Sequence, residues 1–367
     1  MKFKKLARGI ALTSIAAVVF AACSSSGGST APSAAASTAP SAAASAGASA
    51  PASGSAAAGS PMKIGYLPKD IVNQYFAAAK VGIDKGAAES GSTVIQVGPN
   101  EPKADLQVPF IKDLTTQQVN SIIISADDKD AVAPDLKAAM AAGIKVVGFD
   151  SSPAVGAYNV FVNQVDFSGV GVNLADWACE LAPSCTGDIA ILSAAATATN
   201  QNAWIEDFNK VLTTDPKYAK LKLVDTVYGD DDATKSTNEA NGLLQKYPDL
   251  KVIVAPTTVG ILAAAQVVKQ ASSAVKVTGL GLPNDMKAFV ADGTSPKFGL
   301  WSVPDLGYLA YYVADKLVKG EITGAEGETF TVPGLNDDQP YTIGPDSVVI
   351  LGPPFEFNAD NIDQFNF

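Results

Sequence analysis

Asp150 closes the apolar run Lys145-Val-Val-Gly-Phe149 and is followed by Ser-Ser-Pro. A carboxylate at the C-terminal end of a strand can accept two hydroxyl hydrogens with charge-assisted strength. The bland alternative is an Asx turn ahead of Pro153. Lys69 follows another strand-like run, Lys63 to Pro68, and offers donors to ring or hydroxyl oxygens. Asn200 and Gln201 carry amides that both donate and accept, which suits a neutral polyol. Asn200 alone could equally cap the helix that holds Trp204. Pro256 and Thr258 follow a further apolar run and would add backbone groups and a hydroxyl. Tyr75, Phe76 and Trp301 are aromatic residues that serve either as core or as stacking faces for a sugar ring. These residue types recognise hydroxyl-rich ligands and break no bonds.

Bond-breaking chemistry has little to work with in this chain. There is no His among the 367 residues, which removes Ser-His-Asp and Cys-His catalysis and every His-containing metal site. No catalytic carboxylate pair stands out, and neither a metal nor a cofactor is expected. Gly169-Val-Gly-Val-Asn-Leu lacks the third Gly of a dinucleotide fingerprint and falls inside a helix. Asp230-Asp231-Asp232 precedes a helix starting near Ala233, and Asp127-Asp128-Lys-Asp130 precedes one near Ala131; both read as N-terminal caps. Cys179 and Cys185 are separated by five residues, too many for a redox pair. In an oxidising compartment they are expected to form a small disulfide loop at a helix end, two buried thiols being the alternative.

The elements that would position these residues alternate. Strands at 63–68, 92–97, 121–125, 145–149 and 158–162 are interleaved with helices near 73–90, 104–117 and 131–142. The run Ser121-Ile-Ile-Ile-Ser125 has the composition of a strand covered on both faces. The alternation restarts with a helix at 166–182 and continues through strands at 188–192, 222–228, 252–255 and 275–280. This predicts an α/β protein of two doubly wound parallel-sheet lobes. The N-terminal lobe is expected over 62–165, completed by about 301–325. The C-terminal lobe is expected over 166–300, completed by about 326–367, the chain recrossing near Trp301 and again near 325–340. Ligands of such sheets bind beyond the C-terminal ends of the strands. Lys69, Asp150, Asn200, Gln201, Pro256 and Thr258 all follow strands.

Residues 1–22 carry the basic start, short apolar stretch and small-residue end of an export signal. The stretch is too short for a spanning helix, which needs about 20 apolar residues. Cys23 follows Ala21-Ala22 and is the expected site of lipid attachment, in the manner of a bacterial lipobox. Residues 23–61 then form a tether, whose stretch from Ser24 to Pro61 holds only Ser, Ala, Gly, Thr and Pro and cannot bury enough apolar area to order itself. A flexible chain of that length has a root-mean-square reach of about 35 Å. Loss of the signal leaves 22 basic against 37 acidic residues, a net charge of −15. Such a surface argues against nucleic acid and against electrostatic docking on anionic lipid. Membrane contact would come through the lipid, on the extracytoplasmic side.

Ile-Gly-Tyr-Leu-Pro-Lys69, Val-Val-Gly-Phe-Asp150, Ala-Thr-Asn200-Gln-Asn-Ala-Trp204, Tyr-Gly-Asp-Asp-Asp-Ala-Thr-Lys-Ser236, Ala-Pro256-Thr-Thr-Val-Gly260 and Phe-Gly-Leu-Trp301 occur in that order. From Lys63 to the C-terminus the chain resembles the type I periplasmic binding proteins of sugar ABC transporters. It looks closest to the rhamnose-binding branch and its relatives that bind the quorum signal autoinducer-2. The resemblance implies a monomeric, non-enzymatic solute-binding protein that closes by a hinge around a small sugar and delivers it to an ABC permease. In the autoinducer-2 proteins the ligand is held by a Lys, two Asp, a Gln, a Pro and an Ala. Lys69, Asp150, Gln201 and Pro256 match, whereas Asn200 stands for the second Asp and Thr258 for the Ala. These departures favour a deoxyhexose or another small sugar over autoinducer-2. A secreted sugar-processing enzyme is the remaining reading from a different class.

Overall fold

The computed structural model describes residues 61–367. The export signal, the lipid site at Cys23 and the tether from Ser24 to residue 60 lie outside the described residues. Among the described residues no helix is long and apolar enough to cross a membrane.

The first half alternates β1 (Lys63–Leu67), α1 (Gln74–Ser90), β2 (Thr93–Gln96), α2 (Ala104–Thr116), β3 (Ser121–Ile124), α3 (Ala133–Ala141), β4 (Lys145–Phe149) and β5 (Val160–Asn163). Successive strand side chains point to opposite faces, so one strand feeds two apolar layers. Ile64, Tyr66, Ile123, Val147 and Phe149 pack with α1 on one side. Leu67, Ile122, Ile124 and Val146 pack with Ile111, Leu114 and Leu136 of α2 and α3 on the other. Both faces are dry, which explains why β3 reads as an unbroken apolar run.

The second half contains α4 (Phe167–Leu181), β6 (Gly187–Ser193), α5 (Thr199–Thr214), β7 (Leu221–Tyr228), α6 (Ala233–Lys246), β8 (Leu250–Ala255), α7 (Thr258–Gln270) and β9 (Lys276–Gly279). Its strands form a parallel sheet in the order β7-β6-β8-β9. α8 (Pro283–Ala291), β10 (Phe298–Leu300), α9 (Val303–Lys319), β11 (Thr329–Phe330), β12 (Tyr341–Thr342), β13 (Val348–Ile350) and β14 (Phe355–Phe357) complete the chain. The alternating α/β architecture with parallel sheets is the one expected from sequence. Gly169 lies within α4, and a Cβ on Gly171 would come 2.4 Å from the Phe208 nitrogen of α5, so that motif serves helix packing.

The tail behaves differently from the sequence expectation. β13 adds to β5 in parallel, giving the first sheet the order β13-β5-β4-β3-β1-β2. β14 instead pairs antiparallel with β10, beside the second sheet. The chain therefore passes between the halves after β5, after β10 and between β13 and β14. The last passage falls later than the 325–340 stretch, because Val348–Ile350 still belong to the first sheet. Three apolar residues at Val348–Ile350 carry no signal of which sheet edge they will join.

α9 packs against α1 and the first sheet. The contact is close because two glycines face the opposite backbone. A Cβ on Gly82 would lie 1.8 Å from the Pro304 carbonyl oxygen, and one on Gly307 would lie 1.9 Å from that of Ala79. Cys179 and Cys185 are joined by a disulfide that ties the last turn of α4 to the short turn before β6.

Candidate functional site

The loops after β1, β4, β8 and β10 and the first turns of α1 and α5 converge on one narrow cavity, open at its mouth. Lys69, Tyr75, Phe76, Asp150, Gln201, Pro256, Thr258 and Trp301 all line it. Asn200 stands behind this wall, with its Nδ2 donating to Asp150 Oδ1 at 3.5 Å. It does not cap its helix: the N-cap of α5 is Ala198.

Asp150 is the centre of the arrangement. It leaves β4 with φ of 60°, the left-handed region that Asp tolerates better than most residues. Its Oδ2 accepts from the Ser125 hydroxyl at 2.7 Å and its Oδ1 from the Tyr75 hydroxyl at 3.0 Å. Tyr75 in turn accepts from Trp301 Nε1 at 2.9 Å, so a chain of donors runs from the end of β10 to the end of β4. Burial pushes the Asp150 carboxyl up, while Lys69, Ser125 and Tyr75 pull it back. Lys69 is only 4 % exposed, and among the described residues no carboxylate lies within ion-pair distance of its ammonium.

The aromatic residues form a continuous wall. Trp301 meets Tyr75 edge-on at 6.4 Å between ring centres and lies 5.7 Å from Trp204. Phe76 packs edge-on against Phe149. Such a wall supplies apolar faces for the C–H side of a ring. Three polar atoms here are buried without a partner: Asn200 Oδ1, Gln201 Oε1 and Trp204 Nε1. Buried polar groups are nearly always paired, and leaving one unpaired costs free energy.

Sequence reasoning missed several residues of the cavity wall: Asn73, Trp204, Asp231, Thr257, Leu280 and Leu300. Asp231 corrects the reading of its acidic run. Asp232 caps α6 by accepting from the Lys235 nitrogen. Asp231 instead turns into the cleft and accepts from the Thr257 hydroxyl. Burial raises its carboxyl, opposed by Lys69. The run at 127–130 also departs from expectation. α3 begins at Ala133 with no side-chain cap, and Asp128 accepts from the nitrogens of Asp130 and Ala131 in the preceding turn. Asp127 is buried at the cleft. The fully buried Gln107 of α2 fixes these loops, donating to the carbonyls of Pro68 and Ser125 and accepting from the Asp127 nitrogen.

The arrangement can grip a neutral, hydroxyl-bearing ring. The Asp150 carboxylate and the Lys69 ammonium supply charge-assisted bonds, amides supply both donors and acceptors, and indole faces cover the apolar side.

A model of the periplasmic binding protein domain matches residues 64–322. The ribose import binding protein of Bacillus subtilis is 25 % identical over 258 residues, covering 70 % of this chain and 82 % of that protein. A solved structure of an ABC transporter solute-binding protein from Clostridium phytofermentas, with bound L-rhamnose, is 38 % identical. It covers 83 % of this chain and 98 % of its own, with a TM-score of 0.79. A sugar ABC transporter structure from Actinomyces odontolyticus is 42 % identical, covers 83 % of this chain and 98 % of its own, and has a TM-score of 0.67.

Proposed function

The chain belongs to the periplasmic binding protein family, whose members bind substrates for ABC transporters and are not enzymes, and we propose that it captures a neutral deoxyhexose for import. L-rhamnose is the first candidate. The observation that carries this reading is the cavity wall, where Asp150, held from behind by Asn200, stands beside the unpartnered atoms Gln201 Oε1 and Trp204 Nε1. Hydroxyl groups of a sugar would meet these atoms, and the indoles of Trp204 and Trp301 would cover its methyl-bearing, apolar side. The Clostridium phytofermentas relative, which holds L-rhamnose, supports the choice of sugar.

Walls from both halves meet the same ligand, so a bound sugar favours the closed arrangement over an open one. Closure would then present a surface that a membrane permease recognises. Lipid on Cys23 and the uncharged tether would hold the protein at the membrane while leaving it free to reach that permease. Mass spectrometry of the membrane-extracted protein, beside a Cys23→Ala variant, tests the anchor.

Calorimetric titration with L-rhamnose, D-ribose, D-arabinose and autoinducer-2, read in parallel by tryptophan fluorescence, tests the ligand. L-rhamnose is expected to bind tightest and to shift the emission. Tighter binding of another compound overturns the assignment of sugar. Failure of all four, with no ligand-induced compaction in small-angle scattering, overturns the reading itself.

A further inference from the structure

Beside the inner cavity lies a wider chamber of about 800 Å³, open on one side. Asn73 and Asp231 line both spaces, so the two meet there. Carboxylates outnumber lysines eight to two along the chamber wall. Both lysines are already engaged, Lys103 with Glu101 and Lys235 with Asp230. Most of the carboxylates are engaged as well. Asp70 holds the nitrogens of Val72 and Asn73, Asp128 holds its own turn, and Asp231 meets Thr257.

Asp105 is exposed to solvent, which leaves Asp127 as the buried carboxylate of this wall without an engagement. Asp127 is 7 % exposed, lines the chamber, and its Oδ2 is buried without a hydrogen-bond partner. Burial, opposed by Lys69 and reinforced by Asp70 and Asp231, pushes its carboxyl up to about 8. At neutral pH such a group is a carboxylic acid that donates as well as accepts, the same pairing a sugar hydroxyl offers. Among the described residues no three His, Cys, Asp or Glu side chains are grouped to hold a metal ion. The surplus of negative charge disfavours an anionic occupant. Val72, Pro102 and Val259 give the chamber apolar patches beside these polar groups.

We infer that this chamber is a second subsite, taking the adjoining ring of a neutral disaccharide whose terminal ring fills the inner cavity, with Asp127 as its principal polar contact. The inference rests on the sugar-binding reading above and extends it from one ring to two.

The test compares L-rhamnose with a rhamnosyl-glucose disaccharide by calorimetry, on the mature protein and two variants. Thr197→Trp fills the chamber from its second-half wall, and Asp127→Ala removes the unpartnered acid. The disaccharide is expected to bind the unaltered protein at least as tightly as L-rhamnose. Asp127→Ala is expected to weaken the disaccharide by about tenfold, the scale of one lost hydrogen bond, with L-rhamnose changed far less. Thr197→Trp should remove disaccharide binding while retaining L-rhamnose, which also reports that the variant is folded. L-rhamnose binding without disaccharide binding overturns the second subsite alone, as does a disaccharide insensitive to both variants. Equal binding of a rhamnosyl-glucuronate overturns the neutral class of the second ring. Failure of L-rhamnose itself overturns the reading beneath it.

Discussion

Trp301, at the end of a strand beside the second sheet, donates its indole N–H to the hydroxyl of Tyr75, on the first turn of a first-half helix, at 2.9 Å. That hydroxyl has one proton and gives it to Asp150. Tyr75→Phe keeps the ring contacts but leaves both the Trp301 N–H and one Asp150 oxygen short of a partner. Losing a buried partner costs about 1–3 kcal/mol. The expected outcome is a lower melting temperature and weaker sugar binding, measured by calorimetry on the same sample. Unchanged affinity would separate this relay from ligand recognition.

Asp150→Asn preserves shape while removing the charge. A charge-assisted hydrogen bond to the ligand is thereby replaced by a neutral one. The affinity for L-rhamnose is expected to fall about 10- to 100-fold, the equivalent of roughly 1.4 to 2.7 kcal/mol. Titration calorimetry reads this directly. A fold-change below that range would shift the main polar contact to Lys69 or Gln201.

The folded protein holds the Asp127 proton up to about pH 8, whereas the unfolded chain releases it near the ordinary value of 3.8. Between those values the folded state binds more protons, so this group makes stability fall as pH rises, with no further loss above about 8. Asp127→Asn removes that contribution. Urea unfolding is expected to show a shallower decline between pH 5 and pH 8 and a gain at pH 8 of about 1.4 kcal/mol or more, the worth of one pKa unit. Asp70, Asp150 and Asp231 are also raised by burial, so a residual slope of the same sign remains.

Gly307→Ala would drive a methyl into the Ala79 carbonyl at the crossing of α1 and α9. Overpacking of this kind costs about 1–3 kcal/mol. Gly169→Ala is the matched control, because a Cβ there meets nothing within 4 Å. It is expected to be neutral or to stabilise by up to about 1 kcal/mol, the helix propensity gain of Ala over Gly. Thermal denaturation of the pair distinguishes close packing from a general intolerance of change.

The βα alternation was legible because each central strand is apolar on both faces and each covering helix is amphipathic. The polar residues at strand ends were legible for the same reason: once the strands are placed, their C-terminal loops have one place to meet. Asp231 was hidden by its neighbour. Asp232 does cap α6, and a run of three acids before a helix offers no clue that one of them turns away. Asp127 was masked by Asp128, which closes the turn ahead of α3 rather than capping it. Gln107 sits mid-helix in α2, where a buried amide has no local signature; only the loops it binds reveal its purpose.

The pairing of Val348 with Phe161 closes the edge of the first sheet. The strand that completes the earliest-built layer is thus synthesised after every strand of the second sheet. A chain emerging from the ribosome holds its first sheet one strand short until Ile350 has been made. The first half is therefore completed by a contact of high sequence separation, the kind that forms late because the entropy of loop closure opposes it.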